Sequence, residues 1–354
     1  MENVYITVFA MVLSAPGVLS NRIVGSFVLF RILHTFFYLT GKQPHRGVVY
    51  TIGHVLNVVM LIKVFNQDEN DKFVRYSVLL LLKFWLSGSL TSWKRHVTHH
   101  SPQFGIAEDG DLEKILGHDS KTGDKIGTLA RNSGAERMMK SHFEDIHGVT
   151  LFLSVVILSK NVLPEPVLAN IVLVYLCFKC SETLVVFFKG PNIAKVAFFL
   201  VSTMACFHLI EYSLLDNKSE NYEISLKTSN NYFLLMVLCM KTCIIPIVTQ
   251  VYRIFNFSLV PSDEELANPE KFTNTNIRRS ENLEKNDAEN VHLFLLAVLM
   301  IGVENMPENV VYCFVGSRIA HTLAYLIHVP QPIRFGSYFF GALMVLKSFM
   351  ILIQ

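Results

Sequence analysis

Residues 2–39 recur without a gap at residues 289–326. The match runs from Glu2-Asn3-Val4 against Glu289-Asn290-Val291 to Arg31-Ile32-x-His34-Thr35-x-x-Tyr38-Leu39 against Arg318-Ile319-x-His321-Thr322-x-x-Tyr325-Leu326. A one-residue shift then pairs Gln43-Pro44-x-Arg46 with Gln331-Pro332-x-Arg334, and Tyr50 with Tyr338. Similarity sustained over about fifty residues marks a duplicated module and not a chance match. A fainter middle copy also exists: Lys83 and Arg95 match Lys241 and Arg253, and Lys140 and Glu144 match Lys285 and Glu289. Lys179, Thr183 and Lys195 fall where Arg318, Thr322 and Arg334 stand. The repeating unit reads as four helices long. The chain then divides into a partial first copy (1–66, helices two to four), a degenerate second copy (73–215) and a best-preserved third copy (231–354).

Composition says what the module is made of. Hydrophobic residues make up 51% of the 354 and charged residues 17%, against about 25% charged in a typical soluble protein, and mean hydropathy is +0.38. An ordinary cytosolic enzyme is excluded. Since roughly 20 apolar residues cross a bilayer, the length accommodates about a dozen crossings. Apolar runs fall at 4–19, 23–39, 48–64, 76–93, 146–158, 167–188, 193–214, 232–255, 291–303, 310–327 and 335–353. The expected fold is all-α, a polytopic transmembrane bundle of about eleven spans. Two polar segments, 94–143 and 256–288, read as exposed loops with room for short helices.

Charge orients the bundle. More Lys and Arg lie on the side of Met1 and the two long loops than on the other, which places that side in the cytosol and Gln354 on the far side. The sequon Asn217-Lys218-Ser219 then lies on the non-cytosolic side, whereas Asn256-Phe257-Ser258 is cytosolic and stays unmodified. No cleavable signal peptide is evident. A net charge of +2 with no dense basic run argues against a nucleic-acid partner. All six cysteines lie in apolar stretches, so no disulfide framework is expected, and Cys177-x-x-Cys180 reads as packing and not as a metal half-site.

Ionisable residues within spans mark functional sites or satisfied networks. Arg318, His321 and Tyr325 project from one face of one helix and could bind a polar ligand. The competing reading is an interhelical network in which Arg318 pairs with Glu289 or Glu304. Ahead of that helix, Lys285 and Glu289 sit one turn apart with Asn286 beside Lys285. They supply donors for carboxylates and an acceptor for an ammonium group, which suits a small zwitterionic peptide. An ordinary helix start with a solvated charge pattern would look much the same.

These motifs carry a resemblance. Tyr252-Arg253, Ala267-Asn268-Pro269-Glu270, Asn286-Asp287-x-Glu289-Asn290, Arg318-Ile-x-His321-Thr322-x-Ala324-Tyr325-Leu326 and Pro330-Gln331-Pro332-x-Arg334 resemble the membrane-associated proteins in eicosanoid and glutathione metabolism (MAPEG), most of all the microsomal glutathione transferases. The resemblance covers all of 231–354 and the later motifs of the first copy, with the middle copy matching in outline. It implies four-helix units in a trimer, with glutathione as co-substrate bound in a bent shape between neighbours near the cytosolic face. The implied glutathione contacts are Arg253, Lys285, Asn286, Glu289, His321, Tyr325, Arg334 and Tyr338. Arg334 is the implied catalytic residue: an always-charged guanidinium favours the thiolate of a thiol whose ordinary pKa is about 8.5. The implied activity is a transferase, peroxidase or isomerase acting on lipophilic electrophiles or lipid peroxides in the endoplasmic reticulum membrane. Its partners would be a lipophilic small molecule and membrane lipid. Three copies in one chain imply a self-contained pseudo-trimer.

Departures from the pattern limit the inference. Lys271 follows Asn-Pro-Glu where an acid is common, Glu284 precedes the basic position in place of a histidine, and Phe335 replaces a small or hydroxyl residue after Arg334. The middle copy has Lys179, Glu182, Val186 and Lys195 at the arginine, histidine, tyrosine and arginine positions, so its own site is expected to be silent. One working site, on the third copy, is the expectation. The decay also fits a non-catalytic scaffold or lipid-binding member of the same fold. His96-x-x-His99-His100 permits a third reading, a membrane di-iron hydroxylase or desaturase, but no comparable boxes accompany it, and no metal site is expected. Met1-Glu2-Asn3 begins in the middle of a motif that is complete at Asp287-Ala288-Glu289-Asn290, as a truncated gene model would.

Overall fold

The computed structural model describes residues 2–40, 43–97, 133–188, 192–216, 226–255, 275–327, 329 and 331–353. The described residues form eleven α-helices. They are α1 (Glu2–Leu13), α2 (Asn21–Leu39), α3 (Gln43–Phe65), α4 (Lys72–Val97), α5 (Ser133–Leu158) and α6 (Glu165–Phe187), followed by α7 (Asn192–Asp216), α8 (Leu226–Phe255), α9 (Thr275–Ile301), α10 (Glu308–Leu326) and α11 (Gln331–Ile353). Every apolar run became a helix. Eight of these helices are long and apolar enough to cross a membrane, which makes this an integral membrane protein. The expected eleven crossings are not matched one for one. α1 has only 12 residues, the apolar part of α9 follows a polar first half, and α10 carries Glu308, Arg318 and His321.

The helix in the two polar segments belongs to long helices that continue into the apolar runs, where short separate ones were expected. α5 starts at Ser133, well before its apolar run, because its first turns are held against α4. Lys83 donates to Asp145 at 2.5 Å, His142 lies 3.2 Å from the Ser87 hydroxyl, and Thr91 donates to the Met138 carbonyl. α9 starts at Thr275, and its polar first half buries Ile277, Ser280, Leu283 and Asp287. Spacings of three, three and four residues place these on one face. An apolar stripe sparse enough to escape a hydropathy reading still suffices to dock a helix.

The chain divides into two compact units. The first comprises Met1–Asp145, Val186–Lys189 and Pro261–Phe272. In it α1 packs on α3 and α4, and α2 packs on α3. Tyr5, Ile6 and Phe9 of α1 are buried, as are Met60, Leu61 and Val64 of α3 and Val78, Leu81 and Phe84 of α4. A polar knot lies among them: Thr7 donates to Asn57 Oδ1 at 2.7 Å, and Asn57 Nδ2 donates to Asn3 Oδ1 at 2.9 Å. The Asn57 amide is thereby bonded at both its oxygen and its nitrogen, as burial requires. Gln67 closes the C-terminal end of α1, donating to the Leu13 carbonyl and accepting from the Ala15 N–H. The helix stops there, short of the run that continues to residue 19, in a turn where Gly17 has φ 84°.

The second unit comprises Ile146–Val185, Gly190–Val260 and Thr273–Gln354. α9 packs on α8, α10 and α11, and α8 also packs on α7 and α10. Phe294 and Phe314 stack at 3.8 Å between α9 and α10, and Phe152 stacks on Tyr175 at 3.7 Å between α5 and α6. These stacks correct the register of the middle copy. Matching Lys140 and Glu144 to Lys285 and Glu289 sets Asp145 opposite Asn290 and Phe152 opposite Ala297. In the structure Asp145 takes the part of Asp287 as partner of the first-helix lysine, and Phe152 takes the part of Phe294. Each is displaced by three residues, about one helical turn, which leaves it on nearly the same face.

The Lys83–Asp145 pair, with side chains 9% and 3% exposed, generates a prediction. Lys83→Met strands a buried carboxylate and should cost about 3 kcal/mol, read as a lowered melting temperature in detergent. The double variant Lys83→Met/Asp145→Leu should recover most of that loss.

Candidate functional site

The site of the third copy is built on a buried carboxylate. Asp287 is fully buried on α9. One oxygen accepts from Lys241 of α8 at 2.5 Å and the other from Arg318 of α10 at 3.0 Å. Arg318, also fully buried, donates from the same Nη2 to Asn286 Oδ1. The expected acid partners of Arg318 were Glu289 and Glu304, and the structure replaces both. Glu289 is exposed on the opposite side of α9, and Glu304 is exposed in the turn after it. Two cations against one anion leave the cluster with a formal charge of +1. Arg318 Nε and Nη1 are buried without a hydrogen-bond partner among the described residues.

A glycine makes room for this arginine. A Cβ at Gly341 of α11 would lie 3.0 Å from Ser317 Oγ, 3.3 Å from Arg318 Cδ and 3.7 Å from Arg318 Nη1. The first copy has Gly53 at the corresponding place. That match, together with Lys83 against Lys241, was the available sequence signal for groups the motif reading passed over. Asp287 itself lies inside Asn286-Asp287-x-Glu289-Asn290. Its role was not legible, because a motif does not say which neighbours its side chains meet.

One turn beyond Arg318, His321 opens a second cluster. Its ring centroid lies 5.4 Å from that of Tyr325 and 6.1 Å from that of Tyr338, and the Arg334 guanidinium sits over the Tyr325 ring at 5.1 Å. His321 lies within charge range of Arg318, Asp287, Lys241 and Arg334. The structure thus brings four expected residues together: His321, Tyr325, Arg334 and Tyr338. Arg334 Nε and His321 Nδ1 are buried and have no hydrogen-bond partner among the described residues. Asn286 belongs to the neighbouring ionic cluster, held by Arg318. Lys285 and Glu289 are exposed, on the other face of α9 from Asp287. Arg253 lies in the last turn of α8, and its side chain is outside the described residues.

The other copies show how the constellation was kept or lost. In the first copy the His34 and Tyr50 rings lie 5.6 Å apart, as their counterparts His321 and Tyr338 do at 6.1 Å. In the middle copy Lys179 donates to Glu182 at 2.8 Å, both side chains 3% exposed. The acid that replaced the histidine neutralises the lysine that replaced the arginine, within one turn of α6. Of the His96-x-x-His99-His100 box, His99 and His100 lie outside the described residues, as does the His96 side chain. No group of three or more metal-ligating side chains occurs among the described residues. None of the six cysteines is in a disulfide bond.

The family model of the MAPEG family matches residues 1–66 and 232–353, more than half of the chain. No curated protein and no solved structure gives a significant match. The ionic cluster yields a test of its own. Asp287→Leu leaves Lys241 and Arg318 buried without an anion, at a cost of roughly 3 kcal/mol or more. A clear drop in melting temperature is expected, whereas Lys285→Ala, on the exposed face, should leave it nearly unchanged.

Proposed function

Because the chain belongs to the MAPEG family, a membrane family of eicosanoid and glutathione metabolism, we propose that it is a glutathione-dependent transferase of the endoplasmic reticulum membrane. Its second substrate is a lipophilic electrophile or lipid peroxide, and its two long polar segments face the cytosol. One observation carries the reading. Arg334 is held over Tyr325 beside His321 and Tyr338, with its Nε buried and without a hydrogen-bond partner among the described residues.

The residues fit a peptide carrying two carboxylates, an ammonium group and a thiol. Glutathione supplies the sulfur nucleophile, and this chain's residues bind and activate it. Arg334 favours the ionised sulfur, because a guanidinium keeps its charge at any physiological pH and cannot act as a proton source. Tyr325 holds that guanidinium through its ring face, and its phenol and that of Tyr338 add hydrogen-bonding groups. His321 offers one more hydrogen-bonding nitrogen. Lys285 and Glu289, on the exposed face of α9, stand apart from this cluster. Removal of water from such a site strengthens each electrostatic contact.

A second reading, a non-catalytic scaffold or lipid-binding member of the family, draws on a specific observation. Asn286 is engaged by Arg318 and not open to a ligand, and the middle copy has neutralised its own cation. Glutathione separates the two readings. For the enzyme, glutathione raises the melting temperature and supports conjugation of an aryl halide. Arg334→Ala abolishes the shift and lowers turnover roughly 100-fold or more, while Lys195→Ala preserves both. Equal effects of the two substitutions, or no response to glutathione in the unmodified protein, sink the transferase reading.

A further inference from the structure

Three of the six cysteines gather where α7 packs on α8, apart from the residues that the glutathione reading uses. Cys206 of α7 and Cys239 and Cys243 of α8 are all buried. Cys243 donates to the Cys206 sulfur at 3.5 Å, from one helix to the other. Cys239 stands one turn before Cys243 on the same face of α8, within charge range of both other thiols. Cys206 therefore has two thiols of the neighbouring helix beside it, and one of them is in contact.

Packing by itself does not call for sulfur at this seam. Under the offsets that align Lys83 with Lys241 and Lys195 with Arg334, Cys239 and Cys243 answer to Leu81 and Trp85, and Cys206 answers to Val345. The same module is built there from hydrocarbon and an indole. The pair also lies deep. Both helices are long and apolar enough to cross a membrane, with Cys206 eight residues before the end of its span at Leu214 and Cys243 nine before the end of its span at Tyr252. Apolar reagents partition to such a depth, and water-borne ones do so poorly. What two touching thiols can do, and two hydrocarbon side chains cannot, is join by oxidation.

We infer that Cys206 and Cys243 are a redox-active pair that a lipid hydroperoxide converts to a reversible disulfide. One thiol attacks the terminal peroxide oxygen: the O–O bond breaks, an S–O bond forms, and the lipid leaves as an alcohol carrying the thiol's proton. The other thiol attacks the resulting sulfenic sulfur. The S–S bond forms, the S–O bond breaks, and the hydroxyl leaves with the second proton as water. Two thiols and one hydroperoxide thus become one disulfide, one alcohol and one water, with two electrons passing from sulfur to oxygen. Exchange with a small dithiol restores the pair. The bond ties the middle copy's last helix to α8, which also carries Lys241, the partner of Asp287.

The full chain in detergent, reduced, stripped of reductant and kept without glutathione, is treated with linoleate hydroperoxide, then denatured and alkylated. Of the six cysteines, two should become unreactive, the peptides of Cys206 and Cys243 should be found joined, and dithiothreitol should restore both thiols. Cys206→Ala should keep every remaining thiol reactive, whereas Cys313→Ala should lose two as the unmodified protein does. The joined peptide is read on the unmodified protein, so the test stands even where a variant fails to fold. No loss of thiols, an equal loss in Cys206→Ala, a loss that dithiothreitol does not reverse, or a link from Cys206 to Cys239 in place of Cys243 overturns the inference. The assay contains no glutathione and reads no conjugation, so its failure is distinct from failure of the transferase reading.

Discussion

Asp287 holds the third copy together. Its carboxylate lies between Lys241 and Arg318, so one buried anion fastens α8 and α10 to α9. In an environment with little water, neither cation could be buried without it, and an unpaired charge there costs several kcal/mol. Other features follow from this arrangement. Asn286 is drawn onto Arg318, Gly341 is needed where α11 passes the arginine, and His321 is presented one turn on, beside Tyr325 and Arg334. The ionic cluster is thus the support, and the ring-and-guanidinium cluster beyond it is the surface available for chemistry.

Comparison of the copies shows that this support can be rebuilt. Asp145 pairs with Lys83 in the middle copy, as Asp287 does with Lys241, although it stands a turn from the position that sequence matching assigns. The phenylalanine that stacks on the third helix has moved by the same amount. A step of three residues returns to almost the same helix face, so contacts can survive a displacement that breaks a sequence alignment. The functional positions did not survive. Lys179 pairs instead with Glu182 inside one helix.

Much of the fold was legible. Each apolar run is a helix, and the repeat identified the module and the best-preserved copy. That α5 and α9 begin within the polar segments was not legible. Ile277, Ser280, Leu283 and Asp287 make a sparse stripe, and its helical conformation depends on packing against neighbours more than on composition. The candidate site was legible in part. His321, Tyr325, Arg334 and Tyr338, which the family resemblance implies, lie together, whereas Asn286 is held by Arg318, and Lys285 and Glu289 face away from Asp287.

By itself the sequence determined the class of protein, its helices and the likeness of residues 2–39 to residues 289–326, because these depend on local periodicity and on repetition along the chain. Only the tertiary structure decided that Arg318 pairs with Asp287 and not with Glu289 or Glu304, and that Cys243 of α8 meets Cys206 of α7. Spacing within a helix determines which side chains share a face. The partner on that face is chosen by the neighbouring helix, through the need of every buried charge and donor for a counterpart.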